Sequence, residues 1–236
     1  MKKAAFLLVL ILITSCGKPE PNLTVTGTIK GLKKGTLYLQ QLQDTILVVM
    51  DSVIYNGEDN YSLKSDLEAP EILYLTLDKN AGDDIPRIAF FAVPGIIEIN
   101  TTLKYFEFDA KITGSPLQEK LNEFKGITSR FNDQNLELIV AKFDAQKSGD
   151  SAQIEKANQD SDNLLKRKYL YAINFAMNNK NSEIAPYIAL SQIYNANIKY
   201  LDTIYNALPK DIASSKYGIE LEKFIKQRIE EEESIQ

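Results

Sequence analysis

The chain has 236 residues, 44% of them apolar and 25% charged, and its 27 basic and 32 acidic side chains leave a formal charge of −5. That is the profile of an ordinary folded protein of one large or two small domains, and it excludes a collagen, a disordered tail and a multi-span membrane protein. With no histidine, no tryptophan and one cysteine, Cys16, the sequence also excludes a Ser-His-Asp triad, a Cys-His pair, imidazole metal ligation and a CxxC dithiol. No basic block or stripe interrupts the acidic balance, so nucleic acid is not an expected partner.

Lys2 and Lys3 precede an apolar run from Ala4 to Ile13. The run is shorter than the roughly 20 residues a spanning helix needs and reads as the n- and h-regions of an export signal. It closes on Ile13-Thr14-Ser15-Cys16, which resembles a bacterial lipobox. That resemblance implies a diacylglycerol on the sulfur of Cys16, cleavage ahead of it, and Cys16 as the first mature residue. A lone exported cysteine has two other readings, a free thiol or an intermolecular disulfide. Residues 1–15 are thus expected to be a lipoprotein signal peptide. Residues 16–22 form a lipidated tether that Pro19 and Pro21 keep extended. The expected location is the bacterial envelope, membrane-anchored through the lipid, in the outer membrane facing the periplasm, with surface display as the alternative.

Residues 23–113 read as a β-rich domain. Segments at 23–30, 36–43, 45–55, 61–65, 72–78, 88–93, 96–101 and 104–113 are separated by turn residues at the spacing of a sandwich or barrel. In the first, Leu23, Val25, Gly27 and Ile29 alternate with Thr24, Thr26, Thr28 and Lys30, the period of a strand with one wet face. Two continuous apolar runs, 46–50 and 87–93, are expected to be covered on both faces.

After Gly114 the apolar period becomes helical, and residues 114–236 read as a helical domain. Ser115-Pro116-Leu117-Gln118 carries an N-cap serine, a first-turn proline and a capping-box glutamine. Leu117, Leu121, Phe124, Ile127 and Phe131 make one stripe, which Leu138, Ile139 and Phe143 continue. Gly149 ends this helix, and Asp150 caps a second over 151–178 that turns Ile154, Ala157, Leu164, Leu165, Ala172 and Phe175 inward. Shorter helices follow at 184–195 and 198–208, with a last one from 214. The fold class is therefore α+β: an antiparallel β-sandwich or partly open barrel of about eight strands, followed by a helical region packed against it.

Candidate chemistry is sparse. Asp83-Asp84 with Asp44, Asp51 and Asp78 offers oxygen ligands for calcium, but lacks the D-x-[DN]-x-[DN]-G order, and acids at strand ends are commonplace. Gly31-x-x-x-Gly35 is a hairpin turn rather than a phosphate loop. Any two carboxylates might converge as a hydrolase pair, yet the chain has no tryptophan platform for a sugar. Seven of twelve tyrosines lie between Tyr169 and Tyr217, Tyr187, Tyr194, Tyr200 and Tyr205 among them. Half-buried helix faces account for them, and an aromatic partner surface is the alternative. The Glu230–Glu233 run is a solvated helix end.

Val25-Thr26-Gly27-Thr28-Ile29-x-Gly31, Gly35-x-Leu37-Tyr38-Leu39, Asp51-Ser52-Val53, Gly57, Pro70, Val93-Pro94-Gly95 and Ile112-Thr113-Gly114-Ser115 together resemble the uncharacterised β-rich domain that opens many thiol:disulfide interchange lipoproteins. The helical part, including Ser215-Lys216-Tyr217-Gly218, resembles the connector that follows it there. In that family a thioredoxin-like domain with a CxxC motif completes the chain. This chain has no second cysteine, so the redox activity is not expected to carry over. The motif residues read as fold determinants rather than a site. The expected function is that of a non-catalytic binding or adaptor module, without cofactor or metal, partnering a separate thioredoxin-like or transport protein. The alternatives are a carboxylate-only hydrolase and a purely structural envelope lipoprotein.

Overall fold

The computed structural model describes residues 20–57, 60–79 and 85–234. Among them nine strands precede six helices: β1 (Leu23–Gly27), β2 (Ile29–Lys30), β3 (Gly35–Gln43), β4 (Ile46–Tyr55), β5 (Tyr61–Ser65), β6 (Glu71–Asp78), β7 (Arg87–Ala92), β8 (Gly95–Thr102), β9 (Lys111–Thr113), then α1 (Pro116–Ser148), α2 (Ser151–Asn178), α3 (Ile184–Gln192), α4 (Ile198–Asn206), α5 (Lys210–Ala213) and α6 (Lys216–Ser234). The α+β class and the β-then-α order are those read from the sequence.

The strands form two sheets, ordered β2-β8-β1-β5 with β9 on β8, and β4-β3-β6-β7. The second is antiparallel throughout. In the first, β1 and β2 both run parallel to β8, Leu23 opposite Gly95 and Ile29 opposite Thr101, while β5 and β9 add antiparallel pairs. Parallel neighbours need a long crossover, and here the whole second sheet serves as that crossover. The first segment kinks between β1 and β2 at Gly27. Its φ of 150° and its approach to β8, where a Cβ would lie 2.0 Å from the Ile99 carbonyl oxygen, admit only glycine. Thr28 is held at the kink by Asn100, whose Oδ1 accepts from both its N–H at 2.9 Å and its hydroxyl at 2.8 Å.

Alternation places Leu23, Val25, Leu63, Ile97 and Ile99 of one sheet against Leu37, Leu39, Leu73, Leu75, Ile88 and Phe90 of the other. Arg87 and Ala89 leave one face of the 87–93 run open at its start, but from Phe90 onward the run is covered on both faces, Phe90 entering the inter-sheet core and Phe91 the helical core. The 46–50 run is not. β4 is the edge of its sheet, and Ile46, Val48 and Val49 are exposed. The segment over 104–113 is strand only at β9, because local bonding competes with the ladder: the Thr101 hydroxyl donates to the Phe106 carbonyl at 2.7 Å and Phe106 tucks into the core.

Entry to the first sheet is clamped at Asn22. Its amide donates to the Leu67 carbonyl and accepts from the Leu67 N–H at 2.9 and 2.8 Å, and its own carbonyl accepts from Gly95 N–H at 2.8 Å.

The first two helices begin as the sequence indicates, whereas the region expected as one last helix from 214 is preceded by the short α5 and starts at Lys216. Ser115 Oγ accepts from the Gln118 N–H, Pro116 occupies the first turn, Gly149 closes α1 in the left-handed region, and Asp150 accepts from the N–H groups of Ala152 and Gln153. Leu117, Leu121 and Phe124 are buried with Phe175, Ile184, Ile188 and Leu221. Farther out, the α1–α2 hairpin buries only Thr128, Ala145, Ala157 and Leu164. Ile139, Phe143 and Leu165, expected inside, are exposed, because only one neighbouring helix reaches this half of the hairpin.

Candidate functional site

The expected lipidation site, Cys16, and the acidic pair Asp83-Asp84 lie outside the described residues. The other acids of the imagined calcium cluster are strung along β3 rather than brought together. Asp44 turns the β3–β4 hairpin with a φ of 54°, Asp51 stands opposite Leu39, and Asp78 opposite Thr36. Asp51 serves the fold, since its two carboxylate oxygens accept from Ser52 N–H at 2.8 Å and Lys64 N–H at 2.7 Å, stitching β4 to β5 where a register shift bends the strand. Among the described residues no group of three or more metal-binding side chains converges. Nor is any helix there long and apolar enough to cross a membrane.

The densest cluster of chemistry lies where the second sheet meets α6. A cleft of about 390 Å3 is lined there by Leu42, Asp44, Glu71, Ile72, Tyr74, Tyr187, Lys216, Tyr217 and Glu220. Glu71, the first residue of β6, is buried. One of its oxygens accepts from Gln41 Nε2 at 2.6 Å and the other pairs with the Lys216 ammonium. Tyr217, the next residue on α6, accepts the Ile72 N–H at 2.9 Å through its hydroxyl. Its ring meets Phe91 and Tyr187 edge-on, at centroid distances of 5.7 and 5.2 Å. Burial pushes the Tyr217 and Tyr187 phenols above their ordinary range, so both stay neutral. Glu220 at the cleft's edge is raised by burial and by the Glu71 charge, with Lys216 and Lys223 opposing.

Ser215-Lys216-Tyr217-Gly218 thus acts as a unit. Ser215 Oγ donates to Ile212 O at 2.7 Å and accepts from Gly218 N–H at 3.3 Å. Lys216 and Tyr217 then reach across to β6, and Gly218 lets α6 press against the carbonyls of Ile212 and Ala213. The cleft's polar groups satisfy one another, and among the described residues no buried side-chain polar atom lacks a partner. Chemically it is a latch between sheet and helices. Of the tyrosine cluster, Tyr187 and Tyr217 belong to this latch, whereas Tyr194 and Tyr200 are exposed. No local pattern in the sequence joins Glu71 to Lys216 and Glu220, because the two halves of the Glu71–Lys216 pair are 145 residues apart.

Residues 23–121 match the family model described as Domain of unknown function (DUF4369). The matched stretch covers β1 to β9 and runs into α1 as far as Leu121, the second α1 leucine buried in the core that includes Phe91. No curated protein matches the chain, and no solved structure does.

Proposed function

We propose that the protein is a bacterial envelope lipoprotein, held to the outer membrane by acyl chains on Cys16 and facing the periplasm, and that it works there as a non-catalytic adaptor for a separate thioredoxin-like or transport protein. The bare rim of β4 supports the adaptor reading. β4 pairs with β3 alone among the described strands, and Leu42, Ile46, Val48 and Val49 crowd its outer end, with Ile46 68% exposed. An apolar, unpaired strand edge of this kind is ordinarily shielded unless another chain adds to it. The latch supports binding over carboxylate-only hydrolysis, because both oxygens of its buried glutamate are engaged.

A photo-reactive residue in place of Val48, in the full chain in living cells, is expected to give an adduct with one thioredoxin-like or transport protein. Adducts with lipid alone, or none, overturn the adaptor reading. Mass spectrometry of the membrane-extracted protein is expected to find Cys16 at the N-terminus carrying acyl chains, and an unmodified thiol there overturns the anchor.

A further inference from the structure

Resting on the adaptor reading above, we infer that the partner is a protein embedded in the same membrane, and that it docks by adding one extended strand to the outer edge of β4 at residues 46–50. Three edge strands, β4, β5 and β7, are five residues or longer. β7 is closed, because its N–H groups at Arg87 and Phe91 donate to the side chains of Glu107 and Gln118 at 2.9 and 2.7 Å. β5 is closed by the Asp51 carboxylate, which accepts from Lys64 N–H at 2.7 Å. Over residues 46–50, β4 bonds only to β3 among the described residues. That run, Ile46-Leu47-Val48-Val49-Met50, holds neither a charge nor a proline, the usual guards of a bare edge.

The edge is cut for a strand. The Asp44-Thr45 turn joins Gln43 to Ile46 as a mutually bonded pair, so alternation turns the N–H and C=O groups of Leu47 and Val49 outward. A strand answers such groups, and acyl chains do not. The side chains suit a strand inside a sheet, since Ile46 and Val48 on one face and Val49 on the other are 68, 37 and 49% exposed. The added segment is accordingly about five residues long and apolar on both faces. It stops at Asp51, where β5 takes over the edge.

Position selects the membrane. β3 reaches its turn at the end of the sheet where β6 begins and β7 stops, Glu71 standing opposite Ala92, and the chain then passes to Gly95, opposite Leu23. The β3–β4 turn therefore points to the same end as Asn22, the side from which the tether enters. Asp51 lies level with Lys64 and Thr24, so Ile46, five residues beyond it, overshoots Asn22 by about 10 Å. The chain from Cys16 to Asn22 reaches at most about 22 Å. With that tether drawn out along β1, the turn stands within roughly 12 Å of the lipidated residue, too little for a separate globular domain to enter. A second copy does not fit either, because two β4 edges related by a two-fold axis pair antiparallel and send their anchored ends in opposite directions.

The test uses the full chain in living cells, with a photo-reactive residue in place of Ile46. Mass spectrometry is expected to identify the partner in the adduct as a protein with membrane-spanning segments. Val49→Pro removes an outward N–H that the chain's own ladder does not use, and is expected to lower the adduct yield about tenfold with the circular dichroism unchanged. Val49→Lys keeps the backbone and places a guarding charge on the edge, and is expected to lower the yield likewise. A partner without membrane-spanning segments overturns this inference and leaves the adaptor reading standing, whereas the absence of any protein adduct overturns both. A homodimer adduct, or a membrane-protein adduct that neither variant weakens, overturns docking by strand addition.

Discussion

Gly218 and Lys216 show how much of the joint between sheet and helices rests on single side chains. A Cβ at Gly218 would lie 2.2 Å from the Ile212 carbonyl oxygen and 2.5 Å from that of Ala213. Both are backbone atoms that move only with the α5–α6 turn. Gly218→Ala is therefore expected to cost about 3 kcal/mol or more, read as a lowered urea midpoint at unchanged slope. Lys216 supplies the charge that lets Glu71 remain buried. Removing one partner of a buried pair costs about 3–5 kcal/mol. Because the lysine side chain is partly in water, solvent screening reduces the expectation for Lys216→Met to about 2 kcal/mol. The double variant Glu71→Gln/Lys216→Met is expected to recover most of that loss in the same measurement, since no charge is then stranded.

At the scale of elements, local rules were legible and distant partners were not. Ser115-Pro116-x-Gln118 announces a helix start because capping is settled within one turn. Ser115→Ala is expected to cost about 1 kcal/mol. The same motif says nothing of Phe91, whose N–H donates to Gln118 Oε1 at 2.7 Å, so the glutamine ties α1 to β7 instead of closing its own capping box. Gln118→Met strands that buried N–H and is expected to cost about 1–3 kcal/mol in thermal or urea unfolding. Periodicity showed the same limit. It found the apolar stripe of α1 but not that Leu117–Phe124 is covered while Leu136–Phe143 is bare, because a repeat reports a face and not what lies against it. The 46–50 run was misjudged for the same reason: apolar composition does not tell a central strand from an edge. Parallel pairing of β1 with β8 was illegible because short turns suggest hairpins, and the pairing is set by strands that fold 72 residues apart. The latch was illegible as well, its members meeting only in the folded chain.

Across the whole molecule, Phe91 is the hinge pin of the packing. It leaves β7 on the side opposite Phe90, enters the helical core, and meets Tyr187 and Tyr217 edge-on. Ile72 and Val93 pack against the same core from the sheet. The two parts therefore share one apolar surface, and a chain cut after residue 113 would leave it in water. That fragment, residues 17–113, is expected to bind a hydrophobic dye or precipitate, while the chain from residue 17 to its end does neither and unfolds in a single transition. A fragment that folds as a stable soluble monomer would make the parts independent modules. Phe91→Ala is expected to cost about 3–5 kcal/mol, the usual loss for a buried aromatic ring.

The clamp at Asn22 governs what happens when the chain ahead of it is tugged. β1 leaves Asn22 as an inner strand, bonded to β8 on one side and β5 on the other, and Asn22 itself is tied to Leu67 and Gly95. Tension on residues before it runs along the strand, so two ladders are loaded in shear and many hydrogen bonds must fail together. An edge strand pulled sideways would instead unzip one bond at a time. The β domain thus meets tension on its first strand with two ladders at once and resists unravelling from that end.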